Sequence, residues 1–310
     1  MLTKVDIQNY RSIYRASIPL SPFTLLIGAN GTGKSNFLKV FQDASARLAS
    51  PIYGLSHFKH WGFSSEPLRI AFTSDSGTQA IIQDSKTGVS GSRLLELKNV
   101  RIFSLVPQNV GATERLVPTP TVRSDGKGVV QVLDSLKTGD REDLFNLIEQ
   151  ILTEHIPEIE KLSFAPNFDG RQLQVRERYL PNPTLVSQLS EGMQLALMII
   201  TILHQEHKPS LVCIEDIDRG LHPRLFQSIV ELCFDLSRDE NGVQIIATTH
   251  NPYLVDEFKD NEEAVIIVEK EHGQTKFSTF ADKLSGVEPV EEPLGSLWYS
   301  GFVSGVPQRA

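Results

Sequence analysis

The stretch Gly28-Ala29-Asn30-Gly31-Thr32-Gly33-Lys34-Ser35 constrains this chain more than any other. It fits the pattern G-x-x-x-x-G-K-[ST] at every fixed position, and the chemistry needs those residue types. Glycines let the loop bend so that backbone N–H groups turn inward and cradle phosphates. Lys34 brings a point charge toward the β/γ-phosphates, and the Ser35 hydroxyl can ligate Mg²⁺. Phe23-Thr24-Leu25-Leu26-Ile27 before the loop is a short apolar run that reads as a buried strand. Asn36-Phe37-Leu38-Lys39-Val40-Phe41 after it continues into a helical pattern, so phosphates would lie on a helix N-terminus. A chance glycine-rich turn does not account for strand, loop and helix in one register. The candidate contact set is Gly28, Asn30, Gly31, Thr32, Gly33, Lys34, Ser35 and Asn36.

Three further signals follow in order. Leu189-Ser190-Glu191-Gly192 opens a helical pattern, with Ser190 at the N-cap position. Leu211-Val212-Cys213-Ile214 is an apolar run ending in Glu215-Asp216, one carboxylate to hold a Mg²⁺ shell and one to polarise an attacking water. Gln244-Ile245-Ile246-Ala247-Thr248-Thr249 is another buried-strand pattern, and it ends at His250. Each alone reads equally well as an ordinary cap, solvated acids or a core histidine. Their order and spacing carry the argument. Ser190 lies 25 residues before Glu215, and His250 lies 34 after Asp216. Those gaps hold the helices and turns of βαβ units.

At 310 residues the chain suits one large head with two lobes. Hydrophobic residues make up 40% and charged residues 22%, which is globular rather than disordered. No apolar run approaches membrane-spanning length, and the N-terminus lacks a signal-peptide core. Cys213 and Cys233 read as buried reduced thiols, so a cytoplasmic protein with no membrane partner is expected. A net charge of −8 argues against strong non-specific nucleic-acid binding, though DNA at a local basic patch stays open. Neither His57 with His60 nor His204 with His207 has further ligands at zinc spacing. Strands are expected at 2–9, 13–20, 161–168, 171–179 and 211–215, helices at about 140–156, 190–206 and 223–238, and a hairpin at 264–280. No helix is read between 50 and about 140.

Taken together, the chain resembles the SMC/RecF-type branch of the ABC ATPases. It is most similar to compact bacterial AAA-family ATPases of the overcoming-lysogenization-defect (OLD) and RecF kind. The residues that carry this are Val5-Asp6-Ile7-Gln8-Asn9-Tyr10-Arg11-Ser12, the phosphate loop, Ser190-Glu191-Gly192, and Ile214-Glu215-Asp216-Ile217-Asp218-Arg219-Gly220-Leu221-His222-Pro223. Leu221-His222-Pro223 separates this branch from transporter ATPases, and Leu294-Gly295-Ser296-Leu297-Trp298-Tyr299-Ser300-Gly301 resembles tails of the group. The resemblance implies an α/β P-loop NTPase: an ABC-type ATPase head with a mixed β-sheet core and a variable α+β second lobe. Lobe I would cover about 1–50 and 185–301, and lobe II about 50–185. It implies ATP and Mg²⁺ as cofactors. Ser35 and Glu215, with Gln108 as a Q-loop candidate, would hold the metal. Lys34, Asp216 and His250 would be catalytic, and Arg11 would reach phosphate. Ser190 and Gly192 would form the signature that acts across an ATP-dependent dimer with a second copy, with Asp218 and His222 in the crossing D-loop. With no hinged coiled coil and no room for a Toprim nuclease domain after His250, an effector or nuclease on another chain is expected, in genome maintenance (DNA repair) or antiviral defence.

The sequence departs from that pattern at one place. The usual acid pair is Asp-Glu or Glu-Glu, and here it is Glu215-Asp216. The acid at the catalytic position is one methylene short, so slow turnover is expected, and a non-catalytic ATP-dependent switch is the rival reading. Other features read two ways. Gln108 could equally be an exposed loop residue, and Arg11 could also be a solvated turn residue. Tyr53, His57, Phe58, His60, Trp61 and Phe63 could pack within a lobe or stack on bases. Arg176 and Arg178 could share a strand face toward DNA or only toward solvent.

Overall fold

The computed structural model describes residues 1–50, 55–60, 66–83, 89–91, 95–112, 117–168, 170–239, 242–285 and 292–306. In chain order the elements begin β1 (Leu2–Tyr10), β2 (Ile13–Pro19), β3 (Phe23–Ile27), α1 (Lys34–Ala49), β4 (Arg69–Ser74), β5 (Gln79–Gln83), β6 (Val89–Gly91) and β7 (Val100–Phe103). They continue with α2 (Val129–Thr138), α3 (Glu142–His155), β8 (Ile159–Asn167), β9 (Gly170–Glu177), β10 (Thr184–Leu185) and α4 (Glu191–His204). The last are β11 (Leu211–Ile214), α5 (Pro223–Arg238), β12 (Gln244–Thr248), α6 (Pro252–Asp256), β13 (Val265–Glu271), β14 (Gln274–Thr279), α7 (Phe280–Leu284) and α8 (Leu294–Tyr299). The chain divides into two units, one of Met1–Ile102, Ser210–Ile217 and Cys233–Ala310, the other of Phe103–Pro209 and Asp218–Leu232.

In the first unit, β3, β11 and β12 are apolar runs buried at every position, as strands covered on both faces must be. They pair in parallel, β11 to β12, β12 to β3 and β3 to β13, within a six-stranded sheet of order β14-β13-β3-β12-β11-β7. β14 returns antiparallel on β13, so the sheet is mixed. A five-stranded antiparallel sheet, β2-β1-β4-β5-β6, forms the other layer. Helix α1 packs against both: Phe41 meets Phe72 of β4 at 5.6 Å between ring centroids, and Phe37 meets Phe277 of β14 at 5.3 Å. A second aromatic group, Phe23, Phe234 and Phe258, closes at 4.8–5.1 Å. Such tilted and edge-on pairs add to the stabilisation from apolar burial. Cys213 and Cys233 are fully buried, and burial pushes Cys233 up to about 12, so both thiols are inert.

The second unit holds α2, α3, α4 and the antiparallel sheet β10-β9-β8. Helix α4 is apolar on nearly all sides, and 12 of its 14 residues are buried, the mark of a central helix. His204 sits within it; burial lowers its pKa, and it is neutral. Helix α2 is an addition to the sequence reading. Arg178 lies past the end of β9 with Nε 3.8 Å from Glu160, so it shares no strand face with Arg176. Among the described residues no helix is long and apolar enough to cross a membrane.

One buried polar side chain ties the two sheets of the first unit together. Gln244, 1% exposed at the start of β12, accepts from the Leu2 N–H (2.9 Å) and donates to the carbonyls of Leu2 (2.7 Å) and Ser21 (3.1 Å). Replacing it strands buried backbone groups of β1, which costs their full desolvation. Gln244→Leu is therefore expected to destabilise the protein by about 2–4 kcal/mol, read as a lower urea midpoint in equilibrium unfolding; an unchanged midpoint would show that the tether carries no stability.

Candidate functional site

The phosphate loop leaves β3 and enters α1 through Gly33, which has φ 117°, a conformation open to glycine. Helix α1 has no side-chain cap and no acid in its first turn, so its leading N–H groups and dipole face the loop without competition. Lys34 is 8% exposed, and its Nζ donates to the carbonyls of Gly28 (2.7 Å) and Ala29 (3.1 Å). Burial lowers the Lys34 pKa, and the nearby Asp216 charge opposes that shift. Thr32 closes the loop on itself, its hydroxyl donating to Ala29 O at 2.9 Å.

The parallel register brings the other strand tips to the same place. A cleft of about 340 Å³ is lined on one side by Asn30, Gly31, Gly33, Lys34, Ser35 and Asn36. Its other side is Glu215, Asp216, Thr248 and His250. Asp216 has a left-handed backbone, φ 50°. Its N–H donates to Thr248 Oγ1 at 2.9 Å, and the Thr248 hydroxyl stands 3.4 Å from its carboxylate. The Ile217 N–H donates to Thr248 O at 3.1 Å, fixing the turn. His250 Nε2 lies 4.0 Å from Asp216 Oδ1. A tight sequence holds that histidine: Thr249 N–H bonds Leu26 O, Asn251 N–H bonds Thr249 Oγ1, and Asn251 caps α6 with Pro252 at its first position. A cation, a hydroxyl, two carboxylates and an imidazole thus converge, a set suited to polyphosphate, a divalent ion and a positioned water.

Other candidates lie outside this cleft. The Arg11 guanidinium donates to Tyr10 Oη (2.8 Å) and Asp43 (3.1 Å) and stacks 4.3 Å over the Phe58 ring. With Ser12, Asn36, His57, Lys59 and Lys270 it lines an adjoining cleft of about 350 Å³. Of the aromatic group, Phe58 packs on Tyr10 and His60 on Tyr14; Tyr53, Trp61 and Phe63 lie outside the described residues. In the second unit, Ser190 caps α4 by accepting from Met193 N–H at 3.3 Å. A Cβ on Gly192 would stand 3.0 Å from Gly220 O, so close backbone packing already asks for glycine there. Gln108 donates to Glu191 at 2.7 Å, joining the Q-loop candidate to the signature turn. Residues the sequence reading passed over are Thr248, whose only signal was its place before His250, and Thr275, which no motif contains.

Comparison with known proteins bears on the same segments. Residues 1–44 match the family model described as "AAA ATPase domain". Residues 145–256 match the one described as "AAA domain, putative AbiEii toxin, Type IV TA system". No curated protein sequence matches significantly. Among solved structures, the fold is similar to an SmcHead bound to the C-winged helix domain of ScpA, with TM-score 0.56 and 14% identity over 90% of this chain and 97% of that one. The SMC head domain from Thermotoga maritima gives 0.53 and 14%, over 90% and 98%. An Smc head domain with an extended coiled coil, bound to the C-terminal domain of ScpA derived from Pyrococcus furiosus, gives 0.55 and 13%, over 91% and 97%. At such identities the likeness is one of fold. The AAA models cover the phosphate loop and the strand that ends in Glu215-Asp216, and the fold is similar to that of SMC heads, which together support a P-loop ATPase of the SMC/RecF type.

Proposed function

We propose that this chain is a single ATPase head that binds ATP with Mg²⁺, hydrolyses it slowly and closes with a second copy while ATP is bound. The observation that carries the reading is the convergence of Lys34, Ser35, Glu215, Asp216 and His250 on one cleft. The residues fit the ligand, because the loop presents uncapped helix N–H groups and a buried cation to anions. ATP would supply the phosphoryl group and Mg²⁺ the counter-charge around it. Lys34 would turn from the loop carbonyls to the phosphates, and Ser35 and Glu215 would hold the metal. Asp216 would take the proton of an attacking water, with His250 steadying the γ-phosphate end. The nucleoside end would pass Asn36 toward Arg11 and Phe58. The left-handed backbone at 216 supplies a reason for the shorter acid, since aspartate tolerates that conformation better than longer side chains.

Ser190 and Gly192 would complete the site of the second copy, and nucleotide state would control a partner protein or DNA. Two of the similar heads were solved bound to ScpA domains, which supports a protein partner. One matching model is described by a type IV toxin–antitoxin system, which supports the defence reading over repair.

Three measurements test this. By calorimetry, Lys34→Ala is expected to weaken Mg-ATP binding about a hundredfold or more, since charge-assisted contacts to phosphate are lost; unchanged affinity would remove the P-loop reading. Asp216→Asn is expected to keep ATP bound while phosphate release in a steady-state assay falls to background. Wild-type turnover in that variant would show that another group activates water. In the Asp216→Asn background, light scattering is expected to show a monomer with ADP and a dimer with ATP. Adding Ser190→Arg should block the dimer and spare ATP binding, and a monomer under all conditions would exclude the closing head.

A further inference from the structure

The β13–β14 hairpin crosses behind the phosphate loop so closely that Gly28 and Gly33 have no room for a side chain. A Cβ on Gly28 would stand 2.2 Å from Val268 O of β13, and one on Gly33 would stand 2.2 Å from Thr275 Oγ1 of β14. Alternation along β14 puts Thr275 and Phe277 on one face, Phe277 against Phe37 of α1 and Thr275 against the loop.

Thr275 is 1% exposed, and its hydroxyl oxygen lies 2.7 Å from both Thr32 O and Ser12 Oγ. A hydroxyl has one hydrogen, and a carbonyl can only accept. The one Thr275 hydrogen is therefore shared between Thr32 O and Ser12 Oγ. Ser12 Oγ also accepts from Asn36 Nδ2 at 2.8 Å. The Thr275 N–H bonds Ser12 O at 2.7 Å and locks the two segments together. The result is a hydrogen-bond relay of Asn36, Ser12, Thr275 and the Thr32 carbonyl. It starts on the first turn of α1 and ends on the loop's own backbone. Drawing the Thr32 carbonyl outward leaves the neighbouring peptide N–H of Gly33 directed the opposite way.

We propose that Thr275, through this relay, is a positioning residue of the nucleotide site, holding the phosphate loop in its anion-accepting conformation. This rests on the ATP-binding reading above. Full-length variants are tested by calorimetry with Mg-ATP, alongside Lys34→Ala and with thermal midpoints recorded. Thr275→Val removes the donor at constant volume, and we expect about tenfold weaker binding, with faster amide exchange at Gly31–Lys34. Thr275→Ser keeps the hydroxyl and should bind within about twofold of wild type. Ser12→Ala should lose as much as Thr275→Val, and the double variant no more than either, because the relay acts as a unit. If Thr275→Val fails to fold, Ser12→Ala carries the test alone. Wild-type affinity in Thr275→Val or Ser12→Ala while Lys34→Ala loses binding overturns the positioning role and leaves the P-loop reading standing. Equal losses in Thr275→Ser and Thr275→Val also overturn it. Wild-type affinity in Lys34→Ala overturns both.

Discussion

Parallel pairing around β3 is the constraint on which the rest depends. Thr248 lies beside Leu26, and Ile214 beside Ala247, so the carboxyl ends of β3, β12 and β11 fall on one edge of the sheet. The loop leaves from the first of these ends, His250 from the second and Glu215-Asp216 from the third. A binding crevice outside the carboxyl ends of parallel strands follows from this topology. The burial of all three strands fixes their register, because a slip of one residue would exchange side chains between two packed faces and scatter the cleft.

Rigid strand tips do not by themselves shape a loop. The conformation of the phosphate loop is held from two directions. Inside the cleft, the loop carbonyls of Gly28 and Ala29 engage Lys34. Behind it, the β13–β14 hairpin leaves room for nothing larger than glycine at positions 28 and 33. Across the cleft, Thr248 does for Asp216 what the hairpin does for the loop, fixing a backbone conformation that few side chains accept. The phosphate loop and Asp216 are thus each braced by a neighbour, the hairpin and Thr248, that is not itself a candidate catalytic group.

Much of this was legible because the signals are local. Apolar runs, turn glycines and a cap serine each report their own segment, whereas the sheet order β3-β12-β11 was not read from the sequence. What stayed hidden was of two kinds. Helix α2 begins Val129-Val130-Gln131-Val132, β-branched residues that favour strands, and it is helical because Val129, Val130, Leu133 and Leu136 have a face to bury. The Thr275 and Gln244 contacts join residues 263 and 242 apart in sequence, and no periodicity encodes such pairs. The Glu215-Asp216 order was visible as a departure, but its conformational basis was not, since a backbone dihedral leaves no trace in composition.

The position of β3 in its sheet also sets a timetable for synthesis. Its two neighbours, β12 and β13, begin at residues 244 and 265, and β1 is tethered by Gln244. The nucleotide motif is therefore made early and assembled late. While the ribosome is still translating the middle of the chain, the loop has neither its flanking strands nor its backing hairpin. Closing contacts of such long range is slow and exposes apolar strand edges meanwhile. The surroundings that hold the phosphate loop in shape are therefore complete only once β14, which ends at Thr279, has been made.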